Sequence, residues 1–285
     1  MTRLFKLLSF LPLWLLHGIG WILGWMAFLG SSTYRQRFVE NADQAKLGRA
    51  DWLPAVGAAG QLVGELPRLW FGRSVPIHWA GAEHIDAALS CGKGIVFLTP
   101  HLGCFEVTAQ AYAARFGPSG RPMTVLFRPP RQAWLRALVS SARSRPGLLT
   151  APTSLAGVKQ LIKALKQGQC VGLLPDQVPP SPQGVWAPFF GRDAYTMVLS
   201  ARLAVQTGAT VLLAWGQRLP WGRGYVIHVC PMADALSSDM QVAAAQVNTA
   251  MESLVRQAPG QYLWGYARYK RPRGDAPTAD GGSQP

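Results

Sequence analysis

The chain has 285 residues, which is enough for one large α/β domain or two small ones. Its formal net charge of +14 is unusual for an enzyme of neutral solutes and implies a polyanionic partner, for which nucleic acid, an anionic membrane surface and a phosphorylated lipid all qualify. The four cysteines are scattered without C-x-x-C spacing, which argues against a zinc site and against a compact disulfide framework.

The first predicted element is an apolar segment near the N-terminus. Between Lys6 and Arg35 there are 28 consecutive residues without a formal charge, more than the roughly 20 that cross a bilayer. A secretory signal peptide has a shorter apolar region and a small-x-small cleavage site, so we predict an uncleaved membrane anchor over residues 1–34. Pro12 and several glycines weaken this helix, which leaves an interfacial or re-entrant segment open as the alternative.

The rest of the chain alternates between helical and β-like runs. The predicted helices cover residues 51–73, 82–91, 103–116, 131–144, 154–167, 195–207 and 238–257. The predicted strands cover residues 75–80, 94–99, 123–128, 170–175, 210–218 and 225–230. This order predicts an α/β domain over residues 35–270 with a mixed, mainly parallel central sheet flanked by helices. The sheet is mixed because only LPWGRG, a hairpin connection, separates the last two strands, and the tail over residues 271–285 is predicted to be disordered.

His101 and Glu106 form an H-x₄-E pair directly after the apolar run over residues 94–99. Ligands of open α/β sheets bind beyond the carboxyl ends of such strands. On a single helix the two side chains would point about 140° apart, so we expect His101 in a loop and Glu106 on the first turns of the next helix. The pair is a candidate base with its orienting carboxylate, and a structural pair on a solvated face is the alternative.

Positive charge is concentrated near this pair. Residues 107–175 contain no Asp or Glu, and their ten cations are Arg115, Arg121, Arg128, Arg131, Arg136, Arg143, Arg145, Lys159, Lys163 and Lys166. An acid-free stretch rich in arginine is typical of a surface that binds phosphate, since the planar guanidinium pairs with it bidentately. A solvated basic face is the alternative interpretation.

Four segments follow predicted strands: TPHLGCFE (99–106), LFRPPR (126–131), LLPDQ (173–177) and PFFGR (188–192). Together with the closing QYLWGYARYKRP (261–272), this ordered set resembles the lipid A biosynthesis (lauroyl/myristoyl) acyltransferase family, within the lysophospholipid and glycerophosphate acyltransferase superfamily. The resemblance implies a glycerolipid acyltransferase-like fold preceded by a membrane-anchoring helix.

The resemblance also implies roles for individual residues. His101 would be the general base that takes a proton from the acceptor hydroxyl, and Glu106 would orient and charge its imidazole. Arg128 would bind substrate phosphate or the developing oxyanion. The positions expected to bind substrate or shape its site are Arg128, Arg131, Asp176, Gln177, Phe189, Phe190, Gly191 and Arg192.

The implied reaction moves a fatty acyl group from a thioester of acyl carrier protein, or of coenzyme A, to a hydroxyl of a phosphorylated lipid A precursor. A thioester is already activated, so the resemblance implies no metal and no bound cofactor, and it implies no nucleic acid partner. The site would face the cytoplasm at the bacterial inner membrane. Two alternatives stay open: an acyltransferase for another phospholipid, glycolipid or ornithine lipid, and a non-catalytic basic protein that docks on anionic lipid.

Overall fold

A computed structural model of the chain describes residues 2–127, 132, 139 and 145–274. Arg128, Arg131, most of the helix predicted over residues 131–144 and the tail beyond Gly274 lie outside the described residues.

The central feature is a seven-stranded sheet, with a separate two-stranded hairpin. The strands are β1 (Ile77–Ala80), β2 (Ile95–Leu98), β3 (Met123–Phe127), β4 (Leu148–Pro152), β5 (Cys170–Leu173), β6 (Gly184–Phe189), β7 (Arg192–Met197), β8 (Thr210–Arg218) and β9 (Tyr225–Pro231). The sheet order is β1-β9-β8-β2-β5-β3-β4, and every neighbouring pair in it is parallel except β8 and β9. The prediction of a mixed, mainly parallel sheet is therefore confirmed.

Helices flank the sheet and precede it. Those in the described residues are α1 (Thr2–Leu8), α2 (Leu13–Gly30), α3 (Ser32–Gln44), α4 (Arg49–Trp52), α5 (Pro54–Gly64), α6 (Leu66–Phe71), α7 (Ala82–Ser90), α8 (Phe105–Phe116), α9 (Leu155–Lys166), α10 (Leu199–Thr207) and α11 (Met240–Gln257). Short 3₁₀ turns lie at Gly117–Ser119, Pro220–Gly222 and Pro259–Gln261.

Strand β2 shows why the sheet needs helices on both faces. All four of its residues are buried, and they alternate between two apolar clusters. Val96 and Leu98 belong to the cluster that includes residues of α9 and α11, whereas Ile95 and Phe97 belong to the one that includes residues of α7 and α8. Successive strand residues point to opposite faces, so both faces of the sheet are covered at the strand that leads to His101.

The single helix predicted over residues 51–73 is in fact three short ones, α4, α5 and α6. Pro54 stands at the start of α5 and Pro67 in the first turn of α6. Proline has no backbone N–H to donate to the preceding turn, so each proline interrupts the helical hydrogen bonds and stands in the first turn of a new helix. The apolar periodicity was read correctly, but it does not report these breaks.

The β6–β7 hairpin was not predicted, and neither was β4. Residues 195–197 were assigned to the start of a helix, but they pair with β6, and α10 begins only at Leu199. Phe190 and Gly191 form the two-residue connection of the hairpin, with φ of 49° and 76°. Two left-handed residues are the signature of a type I′ turn, so the PFFGR segment is a hairpin tip.

Helix α2 is long and apolar enough to cross a membrane by length and composition, with one third of its residues buried. Its inner face packs lengthwise on α5 through glycines. A Cβ atom on Gly60 would overlap the backbone of Gly20 and Gly24, and one on Gly24 would overlap the carbonyl of Val56. The outer face carries large exposed side chains, namely Trp14, Ile19, Trp21, Ile22, Leu23, Met26 and Leu29.

Candidate active site

The parallel register of β2 and β5 brings His101 and Asp176 together. Leu98 faces Leu173 across the two strands, and His101 and Asp176 each lie three residues beyond those partners. His101 stands in the loop between β2 and α8, and Glu106 stands in the first turn of α8, as the spacing predicted. The carboxyl ends of adjacent strands thus build the site.

His101 is bonded to Asp176 through both its side chain and its backbone. The ring Nδ1 lies 2.7 Å from Asp176 Oδ1, and the His101 backbone N–H donates to Oδ2 at 2.8 Å. The hydroxyl of Tyr262 donates to the same Oδ2 at 3.2 Å. The side chain of His101 is 15% exposed and that of Asp176 only 1%, so the carboxylate is buried while the ring stays accessible.

Asp176 keeps its negative charge in spite of burial. Burial alone would raise the pKa of this carboxyl, but the neighbouring His101 ring and the hydrogen bonds from His101 hold the pKa below its usual range. Burial also raises the pKa of Tyr262 well above its usual value, so its hydroxyl stays a neutral donor. Asp176 is therefore a carboxylate at neutral pH.

The charge of Asp176 decides which nitrogen of His101 is basic. A carboxylate only accepts hydrogen bonds, so Nδ1 must carry the proton of the neutral imidazole. The lone pair is then on Nε2, which lies 3.0 Å from the side-chain amide nitrogen of Gln177. The ring of Phe105 packs on the imidazole with a centroid distance of 4.8 Å. The ring is fixed in the tautomer that a general base requires.

Glu106 has a different environment from the one predicted. Its Oε1 accepts a hydrogen bond of 3.0 Å from the indole Nε1 of Trp70 on α6. The half-buried guanidinium of Arg145 donates to the carbonyls of Leu69 and Trp70. Burial lowers the pKa of Arg145, and the charge of Glu106 acts in the opposite direction. The carboxylate on Nδ1 of His101 is Asp176, and a part for Glu106 in orienting or charging the imidazole stays a prediction.

The closing QYLW segment holds the loop over residues 99–104, which carries the candidate base His101, and its sequence did not reveal this contact. The backbone N–H of Leu263 donates to the carbonyl of His101 at 3.1 Å, and that of Gly103 donates to the carbonyl of Gln261 at 2.9 Å. Leu102 and Tyr262 form an isolated antiparallel bridge. The segment therefore pairs with the loop like a short strand, while the Tyr262 side chain supports Asp176.

An apolar pocket lies between α8 and the sheet. Thr99 and Phe105 line it beside His101, and it extends to Trp79 on the edge strand β1. Gly172 of β5 contributes a wall without a side chain. Its lining is mostly apolar, as is usual for a site that binds a hydrocarbon group.

Phe189, Phe190, Gly191 and Arg192 lie at the hairpin tip. Both phenylalanines are buried; the Phe190 ring packs on Trp264, and the Arg192 guanidinium lies 4.7 Å from the centre of a tyrosine ring. The backbone N–H of Phe190 donates to a glutamate of α11 at 2.6 Å. These are the contacts of a packed hairpin, and a part in binding substrate or shaping its site stays a prediction for all four residues.

The basic stretch is divided between structural and exposed cations. Arg115 stacks on Trp79, with the guanidinium 5.4 Å from the ring centre, and Arg121 donates to a backbone carbonyl at 3.0 Å. The lysines of α9, which are Lys159, Lys163 and Lys166, are exposed. Anion binding by this surface stays a prediction, as do the roles of Arg128 and Arg131, which lie outside the described residues.

The four cysteines have no partner thiol. Cys91 is exposed at the end of α7, whereas Cys104 and Cys170 are buried. Burial raises the pKa of Cys170 to about 11 and that of Cys104 well above its usual value, which keeps both as thiols. Among the residues that the structure describes, no three His, Cys, Asp or Glu side chains are grouped closely enough to hold a metal ion.

Known proteins resemble this chain over most of its length. Residues 59–271 match the family described as bacterial lipid A biosynthesis acyltransferase. The chain is 30% identical over 200 residues to the lipid A biosynthesis lauroyltransferase of Escherichia coli K12. The aligned region covers 68% of this chain and 62% of that protein. It is 28% identical over 185 residues to a lipid A biosynthesis acyltransferase of Haemophilus influenzae, covering 65% and 56% respectively.

A further relative is named for a different lipid acceptor. The chain is 29% identical over 165 residues to the phosphatidylinositol mannoside acyltransferase of Mycobacterium tuberculosis, covering 56% of this chain and 49% of that protein. The matched part spans less than two thirds of the length of each of these relatives.

Proposed function

Because the chain belongs to the bacterial lipid A biosynthesis acyltransferase family, as its motifs predicted, we propose that it transfers a fatty acyl group from an acyl thioester to a hydroxyl of a phosphorylated lipid A precursor. The observation that carries the proposal is the bonded pair of His101 and Asp176 beside an apolar pocket. The donor is acyl carrier protein thioester, with acyl coenzyme A as the alternative.

In the first step Nε2 of His101 takes the proton of the acceptor hydroxyl as its oxygen attacks the thioester carbonyl. The ring becomes an imidazolium, and the buried carboxylate of Asp176 stabilises that charge through Nδ1. The tetrahedral intermediate then collapses, the C–S bond breaks, and the departing thiolate recovers the proton from Nε2. An ester and a free thiol result, so the atoms and charges balance.

The acyl chain enters the pocket between α8 and the sheet, which brings its carbonyl carbon next to Phe105 and His101. Helix α8 begins at Phe105. The partial positive charge of its N-terminus favours the oxyanion that develops on the carbonyl oxygen. Glu106 and Trp70 then fix one another at this end of α8. In this scheme Glu106 shapes the site, and Asp176 orients the base.

The acceptor is a phosphorylated lipid at the inner membrane, with the site on the cytoplasmic side. The net charge of +14 favours both an anionic lipid and an acidic carrier protein. The outer face of α2 presents Trp14 and its apolar neighbours, and Trp221 at the β8–β9 turn is 86% exposed. Gly222 lies directly against the backbone of Leu13 and Trp14, so the turn and α2 form one apolar surface that suits the membrane interface.

The decisive experiment assays the purified full chain with acyl carrier protein thioesters of several chain lengths and a tetra-acylated lipid A precursor, read by mass spectrometry. We expect a new ester on the precursor. His101→Ala should lower kcat by about 10²–10⁴-fold, because proton transfer by a positioned base contributes about that much.

His78→Ala is the matched control, since this histidine is exposed on β1 and lies outside the site. It should transfer acyl groups at the rate of the wild type. Full activity in a folded His101→Ala protein would remove His101 from the reaction. Transfer to a phosphatidylinositol mannoside or an ornithine lipid but not to the lipid A precursor would identify the other acceptor class.

A further inference from the structure

A buried polar network joins α2 to the sheet at the carboxylate of Glu65. Arg218 donates to Glu65 through Nε to Oε2 at 2.8 Å and through Nη2 to Oε1 at 2.7 Å. The hydroxyl of Tyr225 donates to Oε2 at 2.8 Å, and Nε2 of His17 lies 3.0 Å from the same oxygen. The Glu65 side chain is 0% exposed and that of His17 only 5%.

The charges of this network fix its hydrogen-bond directions. Burial would raise the pKa of Glu65, but the charge and hydrogen bonds of Arg218 hold it well below its usual range. Glu65 is therefore a carboxylate, which only accepts, so Nε2 of His17 must carry a proton. His17 belongs to α2, whereas Arg218 ends β8 and Tyr225 begins β9. A residue of the apolar helix thus supplies one of the donors to a buried ion pair of the catalytic domain.

The same guanidinium reaches the catalytic loop. Nη2 of Arg218 also donates to the carbonyl of Gly103 at 3.2 Å, two residues after His101. The Gln261 side chain bonds both the backbone N–H and the carbonyl of Arg218, at 2.9 Å and 3.1 Å. Gly103 has a φ of 57°, and a Cβ atom there would overlap the carbonyl of Gly216. The loop is pressed on β8 with little freedom to adjust, and the guanidinium gives it one side-chain donor beside these backbone contacts.

We propose that His17, Glu65 and Arg218 are positioning residues that set the catalytic loop, so that α2 is a working part of the active site as well as a membrane attachment. Each contact in the chain from α2 to Gly103 is a hydrogen bond within 3.2 Å. The proposal rests on the acyl transfer proposed above.

Nη2 of Arg218 serves Glu65 and Gly103 at once, so a displacement of the carboxylate displaces the donor of the loop. Glu65 Oε2 accepts from three side chains, and removing His17 leaves a buried carboxylate that must shift toward its other two donors. An ångström-scale misplacement of a catalytic group far from the mutation reduces rates strongly. A network that only stabilised the fold would lower thermal stability without this effect on the rate.

The test compares two neighbouring buried residues of α2. His17→Ala removes the donor, whereas Leu16→Ala creates a cavity beside it and removes no hydrogen-bonding group, since Leu16 is buried and apolar. Both should lower the unfolding temperature, and both should stay on membranes. Only His17→Ala should lower kcat, by about 10-fold, with KM for both substrates unchanged. His17→Gln keeps a side-chain amide donor and should restore most of the rate.

A second readout does not depend on turnover. Amide hydrogen exchange of residues 99–106, measured by mass spectrometry, should be faster in His17→Ala than in Leu16→Ala, because the loop loses its fixed donor. This measurement separates the two proposals: a wild-type chain without acyl transfer would contradict the function, and unchanged exchange would contradict the coupling.

If His17→Ala does not fold, Tyr225→Phe decides the matter, since it removes a single hydroxyl from the same Oε2. It should accelerate exchange of residues 99–106 and lower kcat. Native kcat and native exchange in folded His17→Ala or Tyr225→Phe would overturn the proposal.

Discussion

At the scale of single residues, Asp176 combines two tasks on His101. It accepts from the ring Nδ1, which selects the tautomer, and from the backbone N–H, which fixes the loop that carries the ring. A neutral amide in its place could donate to Nδ1 and leave the proton on Nε2, the nitrogen that must be free to act as base. In the proposed mechanism, this one carboxylate therefore links the tautomer of His101 to the reaction rate.

We predict that Asp176→Asn lowers kcat by on the order of 10³–10⁴-fold, as expected when the orienting carboxylate of a catalytic histidine is lost. In ¹⁵N-histidine NMR spectra the His101 ring should lose its Nδ1–H form. Glu106→Gln should leave that form unchanged, because Asp176 is the carboxylate that accepts from Nδ1.

The NMR spectra of Glu106→Gln are compared with those of Asp176→Asn, and this comparison is informative at any kcat of the variant. If this variant alters the His101 tautomer as much as Asp176→Asn does, the pairing of His101 with Glu106 that the sequence predicted would be the correct one. Thermal unfolding of both variants shows whether each is folded.

The sequence placed His101 and Glu106 correctly on a loop and on the first turn of a helix, because strand-end position and helical periodicity are local properties. It did not identify Asp176 as the ring partner, since that contact runs across the sheet between residues far apart in the chain. The sequence did contain a signal for this contact. His101 and Asp176 each lie three residues beyond Leu98 and Leu173, and parallel pairing of the two strands aligns such positions. The sequence does not show that β2 and β5 are neighbours in the sheet, which is why the contact was not predicted.

At the scale of elements, the pairing of α2 with α5 determines how the apolar segment is held. The glycines of α2 predicted a weakened helix, yet Gly20 and Gly24 lie where the two helix backbones approach most closely. Small residues at such crossings allow close contact that larger side chains prevent. The segment predicted as an anchor over residues 1–34 therefore packs on the catalytic domain with its inner face.

We predict that Gly60→Ala lowers the free energy of unfolding by about 1–3 kcal/mol, because its Cβ atom would overlap the backbone of α2. Gly18→Ala is the control on α2 itself, since nothing lies within 4 Å of a Cβ atom there. It should be neutral or stabilise by up to about 1 kcal/mol, because alanine favours helix more than glycine. Denaturant unfolding followed by tryptophan fluorescence measures both, and equal effects would contradict the tight crossing.

At the scale of the whole molecule, the apolar face of α2, the Trp221 turn and the large positive charge together support the proposal that the protein binds an anionic bilayer. The inner face of α2 is engaged with α5 over its length, so the outer face is the part available to lipid. This arrangement favours a helix that lies in the interface over one that stands apart from the domain.

We predict that the double variant Trp14→Ala/Trp221→Ala lowers partitioning to anionic vesicles by on the order of tenfold, since each side chain contributes apolar area. Leu155→Ala, an exposed apolar residue of α9, should have no effect. Binding of the wild type should weaken as salt is raised, because screening reduces the attraction of the basic surface. Vesicle sedimentation at several salt concentrations measures this, and salt-independent binding that tolerates the double variant would contradict the docking surface.

The strands of this protein differ in how clearly the sequence marks them. Strands buried on both faces, such as β2, produce continuous apolar runs and were found with accurate bounds. The β6–β7 hairpin was not predicted, because its type I′ turn has Phe190 at a left-handed position where Asn, Asp or Gly is usual. Its turn signal was therefore absent from the sequence pattern, and only the pairing of the two strands reveals it.

Cys91 offers a native attachment point for a spectroscopic probe. It is the exposed thiol among the four, at the end of α7 where the chain turns toward the start of β2. His101 follows the opposite end of that strand, so a fluorophore at Cys91 would leave the site free. Energy transfer from this probe to labelled lipid would report how the domain is tilted on a bilayer during turnover, without any engineered cysteine.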